Sequence, residues 1–413
     1  MRHHEGYPVK TAEIAEAGWK NGGKSWAGWE NGGNRGGWLV RKAENMAGSE
    51  YGRILTMTTW GESHGPALGV VVDGCPAGIP LAEEDIQKYM DRRKPGQSRF
   101  TTKRNEADQV EILSGVFEGR TTGTPISMMV RNADQHSKDY GALADVYRPG
   151  HADYTFDMRY GFRDYRGGGR SSGRETLCRV AAGAVAAKIL AALGISVRAY
   201  TIQIGPYRVK PEKRDLKACE CNSLWMPDAE TAVEAEKWLS QIVSARDSAG
   251  GVIECVISGM PAGIGEPVFE KFNANLAKAV CSIGAVKGFE IGDGFAAAGV
   301  LGSENNDAFG ISPEGKIVKK TNHAGGVLGG MTDGSDVIFR VAVKPTPSIS
   351  REQDTVTREG EETKLSIHGR HDPVIVPRAV VVVEMMAAFA AADMLLSGMS
   401  ARIDRVRSFY GKD

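Results

Sequence analysis

The chain has 413 residues, with 51 basic and 51 acidic side chains, so its formal net charge at pH 7 is zero. That length is enough to bury a large core, as one large domain or two. A balanced charge argues against a dedicated nucleic-acid-binding protein, which is usually basic overall. The six cysteines include no C-x-x-C pair, which favours reduced thiols in a cytoplasmic protein over a metal site.

The N-terminus lacks the apolar stretch of a secretory signal peptide. We find no apolar run that approaches membrane-spanning length. The sequence therefore predicts no membrane partner.

Residues 1–45 differ in composition from the rest of the chain. They are rich in Gly, Asn and Trp and hold four of the seven tryptophans. Two interpretations stay open: a partner-binding arm, or a disordered or spurious upstream extension of the reading frame. Met46 stands just before the first predicted strand, so we predict one catalytic domain over residues 46–413.

The remaining chain mixes strand and helix patterns without the regular alternation of βαβ units. We therefore predict an α+β fold with largely antiparallel sheets. The predicted strands cover residues 53–59, 68–73, 110–117, 125–130, 197–204, 251–257 and 337–343. The predicted helices cover residues 81–93, 173–193, 228–245, 273–280 and 380–396, and the last is apolar nearly all round and therefore buried.

A short turn sequence occurs twice. Residues 74–79 read G-C-P-A-G-I and residues 259–264 read G-M-P-A-G-I, each between a predicted strand and a predicted helix. This indicates a faint internal duplication. A turn that recurs by chance is the alternative.

Residues 148–193 combine seven arginines with a glycine turn and a helix start. Ser172 and Glu175 have the spacing of an N-terminal capping box, and the turn 167–169 precedes them. A helix N-terminus with arginines beside it is suited to an anion. A nucleic-acid-binding arm fits less well because an apolar helix follows. A P-loop would need Lys and Ser/Thr where Arg174 and Glu175 stand.

Five loops add His, Lys, Asp or hydroxyl groups to turn residues. Histidine can donate or accept protons near neutral pH, which makes such loops candidates for catalysis. The loops cover residues 61–65, 92–104, 148–151 together with 170–172, 344–348 and 370–372.

Three of these segments carry a resemblance to a known family. They are G-E-S-H-G at residues 61–65, R-G-G-G-R-S-S-G-R-E at 166–175 and G-R-H-D-P at 369–373. In this order they resemble the three signatures of chorismate synthases, and the similarity spans about residues 51–396. The resemblance implies a helical core sandwiched between antiparallel sheets, and a homotetramer.

The resemblance also implies a reaction. Chorismate synthases are carbon–oxygen lyases that act on a phosphate: they eliminate phosphate from 5-enolpyruvylshikimate 3-phosphate to give chorismate. The 1,4-anti elimination uses reduced FMN without net redox change, and the flavin supplies electron density that side chains cannot. The resemblance leaves open whether NADPH reduces the flavin. A flavin-dependent oxidoreductase is the competing hypothesis, and it would consume one reductant per product.

Site roles follow from the resemblance residue by residue. His64 matches the acid for the leaving phosphate, His151 the group that serves the flavin ring, and Asp372 an aspartate for proton transfer. Arg93 and Arg99 match positions assigned to a nicotinamide nucleotide in some relatives, although we expect them to face substrate anions. The matched flavin contacts are Arg170, Ser171, Ser172, Gly284, Ala285, Gly329, Lys344, Pro345, Thr346, Pro347, Ser348 and Arg370.

We expect a chain that begins at Met46 to keep its fold and activity. Residues 1–45 lack the apolar periodicity that would dock them on a core. Thermal melting and turnover of the shortened and full-length chains provide the comparison. A large fall in Tm or in turnover would show instead that the extension packs on the rest of the protein.

Overall fold

A computed structural model describes residues 48–97, 100–101, 107–132, 143–367 and 372–411. The described residues from Ser49 onward form one compact unit. The predictions for residues 1–45 and for Met46, Arg99 and Arg370 lie outside the described residues. They remain predictions.

The first half of the chain forms an antiparallel five-stranded sheet, in the spatial order β1-β2-β3-β7-β4. The predicted strand 53–59 begins late because the N–H groups of residues 53–55 bond to the Asp393 carboxylate. The predicted strand 110–117 is interrupted before Gly115, which has φ +82°. The strands of this half are β1 (Glu50–Tyr51), β2 (Thr56–Gly61), β3 (Ala67–Asp73), β4 (Val110–Ile112), β5 (Val116–Phe117), β6 (Arg120–Thr121) and β7 (Ile126–Arg131).

The second half forms another antiparallel sheet, in the order β11-β16-β10-β8-β9. In its middle, Cys255 lies opposite both Phe339 and Ala199, and its side chain is buried. The sheet strands are β8 (Ser196–Ile204), β9 (Tyr207–Arg208), β10 (Gly251–Ser258), β11 (Val286–Ile291) and β16 (Val337–Val343). Three hairpins add β12 (Phe309–Ile311), β13 (Ile317–Lys319), β14 (Val327–Leu328), β15 (Met331–Thr332), β17 (Gln353–Val356) and β18 (Glu362–Leu365).

The described residues also form eight α-helices. In chain order they are α1 (Glu83–Arg93), α2 (Asp153–Tyr160), α3 (Thr176–Ala191), α4 (Ala229–Ser244), α5 (Phe272–Cys281), α6 (Gly302–Asn305), α7 (Val376–Ser397) and α8 (Ile403–Tyr410). The long predicted helices are all present. Helix α2 and strand β11 were not predicted, because α2 is short and β11 is interrupted by Gly288.

Helices α3 and α7 form the centre of the molecule. Helix α3 packs on β2 and β3, α7 packs on β8 and β10, and the two helices pack on each other. Gly183 permits this contact, since a Cβ there would lie 2.4 Å from the Cβ of Met385. Helices α1 and α5 flank the pair. This arrangement confirms the predicted α+β fold with a helical core between antiparallel sheets.

Helix α7 corrects the sequence-based statement that no apolar run approaches membrane-spanning length. It has 22 residues and a mean hydropathy of 2.0 in its most apolar window, so by length and composition it could cross a membrane. However, 83% of that window is buried inside the protein. A helix that lies between two sheets is apolar all round because both of its faces are in the core.

The repeated turn has the same geometry in both halves. Thr121 Oγ1 accepts a hydrogen bond from the N–H of Ile79 and donates to Pro76 O, at 3.0 and 2.7 Å. Thr332 Oγ1 makes the equivalent bonds with Ile264 and Pro261, at 3.0 and 2.6 Å. The turns follow β3 and β10, and each of these is the middle strand of its sheet. The matching bonds support the predicted internal duplication.

Candidate active site

The first candidate loop joins β2 to β3 and carries His64. Ser63 Oγ lies 3.1 Å from His64 Nδ1. Gly167 lies against the imidazole, since a Cβ on that glycine would be 2.6 Å from the ring. Gly167 also has φ +100°, a conformation that favours glycine. The glycine turn before α3 is therefore in direct contact with the His64 ring.

The segment before α3 differs from the predicted capping box. Ser172 accepts a bond from the Arg174 N–H at 3.3 Å and so caps a short 3₁₀ turn, Gly173–Glu175. Helix α3 begins only at Thr176. The Glu175 carboxylate does not reach back to Ser172. It accepts bonds from Thr59 Oγ1 at 3.2 Å and from Arg179 Nε at 2.8 Å.

Arg170 connects the glycine turn to β2. Its guanidinium donates to Gly61 O at 3.0 Å and to Thr59 Oγ1 at 2.6 Å. The side chain is 28% exposed, so it reaches the surface beside the turn. Ser171 Oγ donates to Gly168 O at 2.7 Å.

Six of the seven arginines in this stretch have an acidic partner. The structure therefore balances a positive charge that the sequence alone suggested was free for a ligand. The ion pairs are Arg148–Asp153, Arg163–Asp157, Arg166–Asp164, Arg174–Asp108, Arg179–Glu175 and, at 3.9 Å, Arg170–Glu175.

Arg93 is buried at the start of α3. Its three nitrogens donate to Asp108 Oδ2 at 2.7 Å, Gly173 O at 3.0 Å and Thr176 Oγ1 at 3.2 Å. Burial, opposed by the Asp108 carboxylate, lowers the pKa of Arg93 to about 10, so it stays charged at neutral pH. Direct contact between Arg93 and a substrate or nicotinamide nucleotide is not favoured by this geometry. Its contacts instead hold the first turn of α3.

Asp108 was missed by the sequence analysis. It is 3% exposed, and its carboxylate contacts both Arg93 and Arg174, at 2.7 and 2.9 Å. Its φ is +47°, which is uncommon outside glycine. No local pattern marks it, because its partners come from α1 and from the turn before α3.

His151 lies between its own loop and the segment 344–348. Its Nε2 is 2.8 Å from Ser348 Oγ, and its Nδ1 is 3.0 Å from Pro149 O. Lys344 Nζ donates to Gly150 O at 3.0 Å. The fold thus brings together two of the segments that carried predicted site residues.

Positive charge is concentrated around His151. Burial, followed by the charge of Arg148, lowers the pKa of His151 below its ordinary value. Burial and the nearby Lys287 lower the pKa of Lys344. In the described part of the chain, no carboxylate forms an ion pair with Lys344, so this corner of the site is suited to an anion.

Ala285 fixes the backbone of the same corner. Its carbonyl accepts a bond from the Lys344 N–H at 2.9 Å, and its φ is +72°. Arg179 donates to Ser282 Oγ at 2.5 Å, which joins this turn to α3. Gly284 is exposed, and a Cβ there would meet nothing within 4 Å.

Asp372 closes the arrangement on the α7 side. Its Oδ2 accepts a bond from Arg378 at 2.5 Å, and Arg378 donates in turn to Arg93 O at 2.9 Å. Ser248 Oγ donates to Thr346 O at 2.6 Å. The next residue, Ala249, donates its N–H to Pro373 O, so these two neighbours connect the segment 344–348 to the residue that follows Asp372. Loops from both sheets therefore surround the N-terminal end of α3.

Gly329 is the described site residue that the fold does not bring to this group. It lies in the turn between β14 and β15, next to Gly330, whose carbonyl accepts from the N–H of Phe272 at the start of α5. The segment that leads into this turn lies at the start of β16, because Gly325 O accepts a bond from the N–H of Ile338. Lys344, in contrast, follows the end of β16. Seven residues of β16 separate these ends by about 20 Å.

A sequence model described as chorismate synthase matches residues 55–396. The chain belongs to the chorismate synthase family. A chorismate synthase from Agathobacter rectalis is 63% identical over 367 residues, which cover 89% of this chain and all of that protein. One from Lachnoclostridium phytofermentans is 61% identical over the same length and coverage. A crystal structure of chorismate synthase matches with a TM-score of 0.69 at 31% identity, covering 87% of this chain and 96% of the other.

Family membership establishes the class of the protein. Chorismate synthases are lyases of aromatic biosynthesis in the shikimate pathway, so this chain is an enzyme with a small-molecule substrate. The oxidoreductase and nucleic-acid-binding alternatives lose support.

The lowered pKa of His151 predicts a pH dependence of stability. The pKa of His151 is about 6.5 in the unfolded chain and lower in the folded protein. As the pH falls below about 6.5, the unfolded chain therefore takes up a proton at this histidine before the folded protein does. The contribution of His151 to the free energy of unfolding is therefore fully present above about pH 6.5 and is lost as the pH falls from there through the lower folded-state pKa. We expect His151→Gln to reduce the fall in unfolding free energy between about pH 7.5 and about pH 5.5. An equal fall in both proteins would contradict the lowered pKa.

Proposed function

We propose that this protein catalyses the chorismate synthase reaction, the 1,4-anti elimination of phosphate from 5-enolpyruvylshikimate 3-phosphate, in the cytoplasm. The observation that carries the proposal is the meeting of the His64 loop and the turn before α3, to which Asp372 is connected through Arg378 and Arg93. Within them, His64 contacts Gly167, and Gly167 O accepts a bond from Arg148, three residues before His151. Two histidines connected through Gly167 and Arg148 match the needs of a phosphate leaving group and a second proton-handling group.

The charge of the corner suits the substrate. The substrate carries two carboxylates and a phosphate, and its binding requires cations that are not already neutralised. Lys344 is such a cation, since no carboxylate of the described residues pairs with it, and burial, followed by the charge of the nearby Lys287, lowers its pKa. An anion placed there would relieve the repulsion between them. Arg170 lies 3.9 Å from Glu175, and its partly exposed guanidinium adds a further donor beside the glycine turn.

The same residues fit a flavin mononucleotide. Thr346 Oγ1 is buried and has no hydrogen-bond partner in the described part of the chain, so it can bond to a ligand. Gly284 leaves space at its Cα. Reduced FMN, when bound, would supply the electron density needed to expel the phosphate. Residues proposed to hold it are Arg170, Ser171, Ser172, Gly284, Ala285, Lys344, Pro345, Thr346, Pro347, Ser348 and Arg370.

Gly329 requires a separate explanation, because its hairpin contacts the first end of β16, whereas Lys344 follows the other end, about 20 Å away along the strand. A homotetramer, which the family resemblance implies, would allow Gly329 of one subunit to face the flavin site of another. We therefore propose a homotetramer.

Proton handling is assigned to three side chains. His64 Nδ1 is directed at Ser63 Oγ, so we propose that Nε2 delivers a proton to the departing phosphate. His151 is held by Ser348 and Pro149 and would gain a proton when a negative charge binds beside it. Asp372, anchored by Arg378, would accept the ring proton of the substrate.

The decisive experiment is stoichiometry under strict anaerobiosis. With photoreduced FMN and no nicotinamide, we expect one phosphate for each chorismate and a reduced-flavin spectrum that returns after turnover. Oxidation of one flavin per product would support a flavin-dependent oxidoreductase instead. The same assay with oxidised FMN and NADPH tests whether the protein reduces its own flavin.

The two histidines are expected to fail differently. His64→Ala should lower turnover by roughly 10²–10⁴-fold, the usual contribution of a placed general acid, with FMN affinity nearly unchanged. His151→Ala should weaken binding of reduced FMN more than of oxidised FMN, because the reduced ring carries the added negative charge. Flavin titrations in both redox states and single-turnover rates separate the two outcomes. Normal turnover of His64→Ala would contradict its assignment as the acid.

A further inference from the structure

Asn132 makes an unusual set of contacts with the His64 loop. It follows β7, and its amide nitrogen donates to two backbone carbonyls, Glu62 O at 3.0 Å and Gly65 O at 2.7 Å. These carbonyls flank His64 on both sides in the sequence. The N–H of Asn132 is also bonded, to Pro66 O at 3.1 Å. One residue therefore holds both ends of the turn that presents the imidazole.

The other end of the amide is fixed as firmly. Asn132 Oδ1 accepts a bond from Arg174 Nε at 2.7 Å. Arg174 is 8% exposed and contacts Asp108 at 2.9 Å. Because Arg174 accepts no hydrogen bonds, it determines that the oxygen of the Asn132 amide faces it and the NH₂ group faces the loop.

We propose that Asn132 is a positioning residue that sets the place of His64 relative to the start of α3. The proposal rests on the role proposed above for His64. Asn132 and Arg174 connect the His64 loop to Asp108, which is also bonded to Arg93, and Arg93 binds the first turn of α3. One connected set of hydrogen bonds and ion pairs thus holds both the His64 loop and the glycine turn before α3.

Asparagine has the required chemistry because its amide provides two donors and an acceptor on one short side chain. Aspartate has nearly the same shape and can still accept from Arg174. It cannot donate to the carbonyls of Glu62 and Gly65, and its negative charge would repel both oxygens. Asn132→Asp therefore removes the loop contacts and keeps the arginine contact.

Asn222 provides a matched control on the far side of the second sheet. Its amide nitrogen also donates to two backbone carbonyls, Ala218 O at 2.7 Å and Met226 O at 2.8 Å. It lies in the segment that follows Leu216–Cys221, away from the site. Asn222→Asp imposes the same chemical change on a loop that carries no site residue.

The experiment compares both aspartate variants with wild type, in the full-length chain. We expect Asn132→Asp to lower kcat by about 10–100-fold, as displacement of a catalytic group by about 1 Å can do, with KM little changed. Asn222→Asp should keep wild-type kcat even if its Tm falls by a similar amount. Equal kcat values for wild type and Asn132→Asp, or equal losses in the two variants, would overturn the proposal.

A double-mutant cycle isolates the action through His64. In a His64→Ala background, Asn132→Asp should lower kcat by less than about threefold, because the group it positions is absent. A further loss as large as in wild type would overturn the proposal. Should Asn132→Asp fail to fold, Asn132→Ser is subjected to the same cycle, since it shortens the side chain without adding charge.

A readout independent of activity separates this proposal from the proposed function. The NMR signals of the His64 ring should shift or broaden in Asn132→Asp and remain in place in Asn222→Asp. Unchanged His64 signals in Asn132→Asp would overturn the positioning role. If wild type makes no chorismate, the proposed reaction fails, while the NMR comparison still decides whether Asn132 places His64.

Discussion

The buried ion cluster at the start of α3 is the constraint on which the rest of the site depends. Asp108 contacts Arg93 and Arg174 with almost no exposure to water. Removal of one partner from such a cluster typically costs about 3–5 kcal/mol, because a charge then remains buried without compensation. These bonds hold the end of α1, the turn before α3 and, through Asn132, the His64 loop.

Two more buried carboxylates connect α7 to the sheets. Glu384 accepts bonds from Arg92 at 2.6 Å and from the N–H of Ala199 on β8 at 2.8 Å. Asp393 accepts three backbone N–H groups from residues 53–55. Each of these acids is satisfied by several donors, as a buried carboxylate must be. They explain how an almost wholly apolar helix is fixed in one register between two sheets.

The site combines neutralised and free charge. Six of the seven arginines in residues 148–193 pair with carboxylates in the described structure, so they stabilise loops that would otherwise repel one another. Among the described residues, no carboxylate pairs with Lys344, and burial, followed by the charge of Arg148, lowers the pKa of the neighbouring His151. A neutral histidine beside a free cation can take up a proton when a negative ligand binds. The loops therefore hold an electrostatic arrangement that a polyanionic ligand would complete.

The sequence by itself determined the fold class, most of the long elements and the family. Apolar periodicity does this because a strand such as β16 alternates with period two and a buried helix is apolar on all faces. The repeated G-x-P-A-G-I turn also predicted a duplication, although its two threonine partners could be found only in space. Three motifs in order were specific enough to indicate chorismate synthases, because each joins glycine geometry to a charged or protonatable side chain.

Only the tertiary structure decided which charged residues are available to a ligand. Arg93 resembles a ligand-binding arginine in sequence, yet its donors are taken by Asp108, Gly173 and Thr176. The S-x-x-E pattern at Ser172 predicted a capping box, but Glu175 is drawn to Thr59 and Arg179 instead. Asp108 and Asn132 carry no local signal at all. The physical reason is common to these cases. A side chain forms hydrogen bonds with whatever partners lie within about 3 Å, and the fold brings to that distance residues that are far apart in the chain.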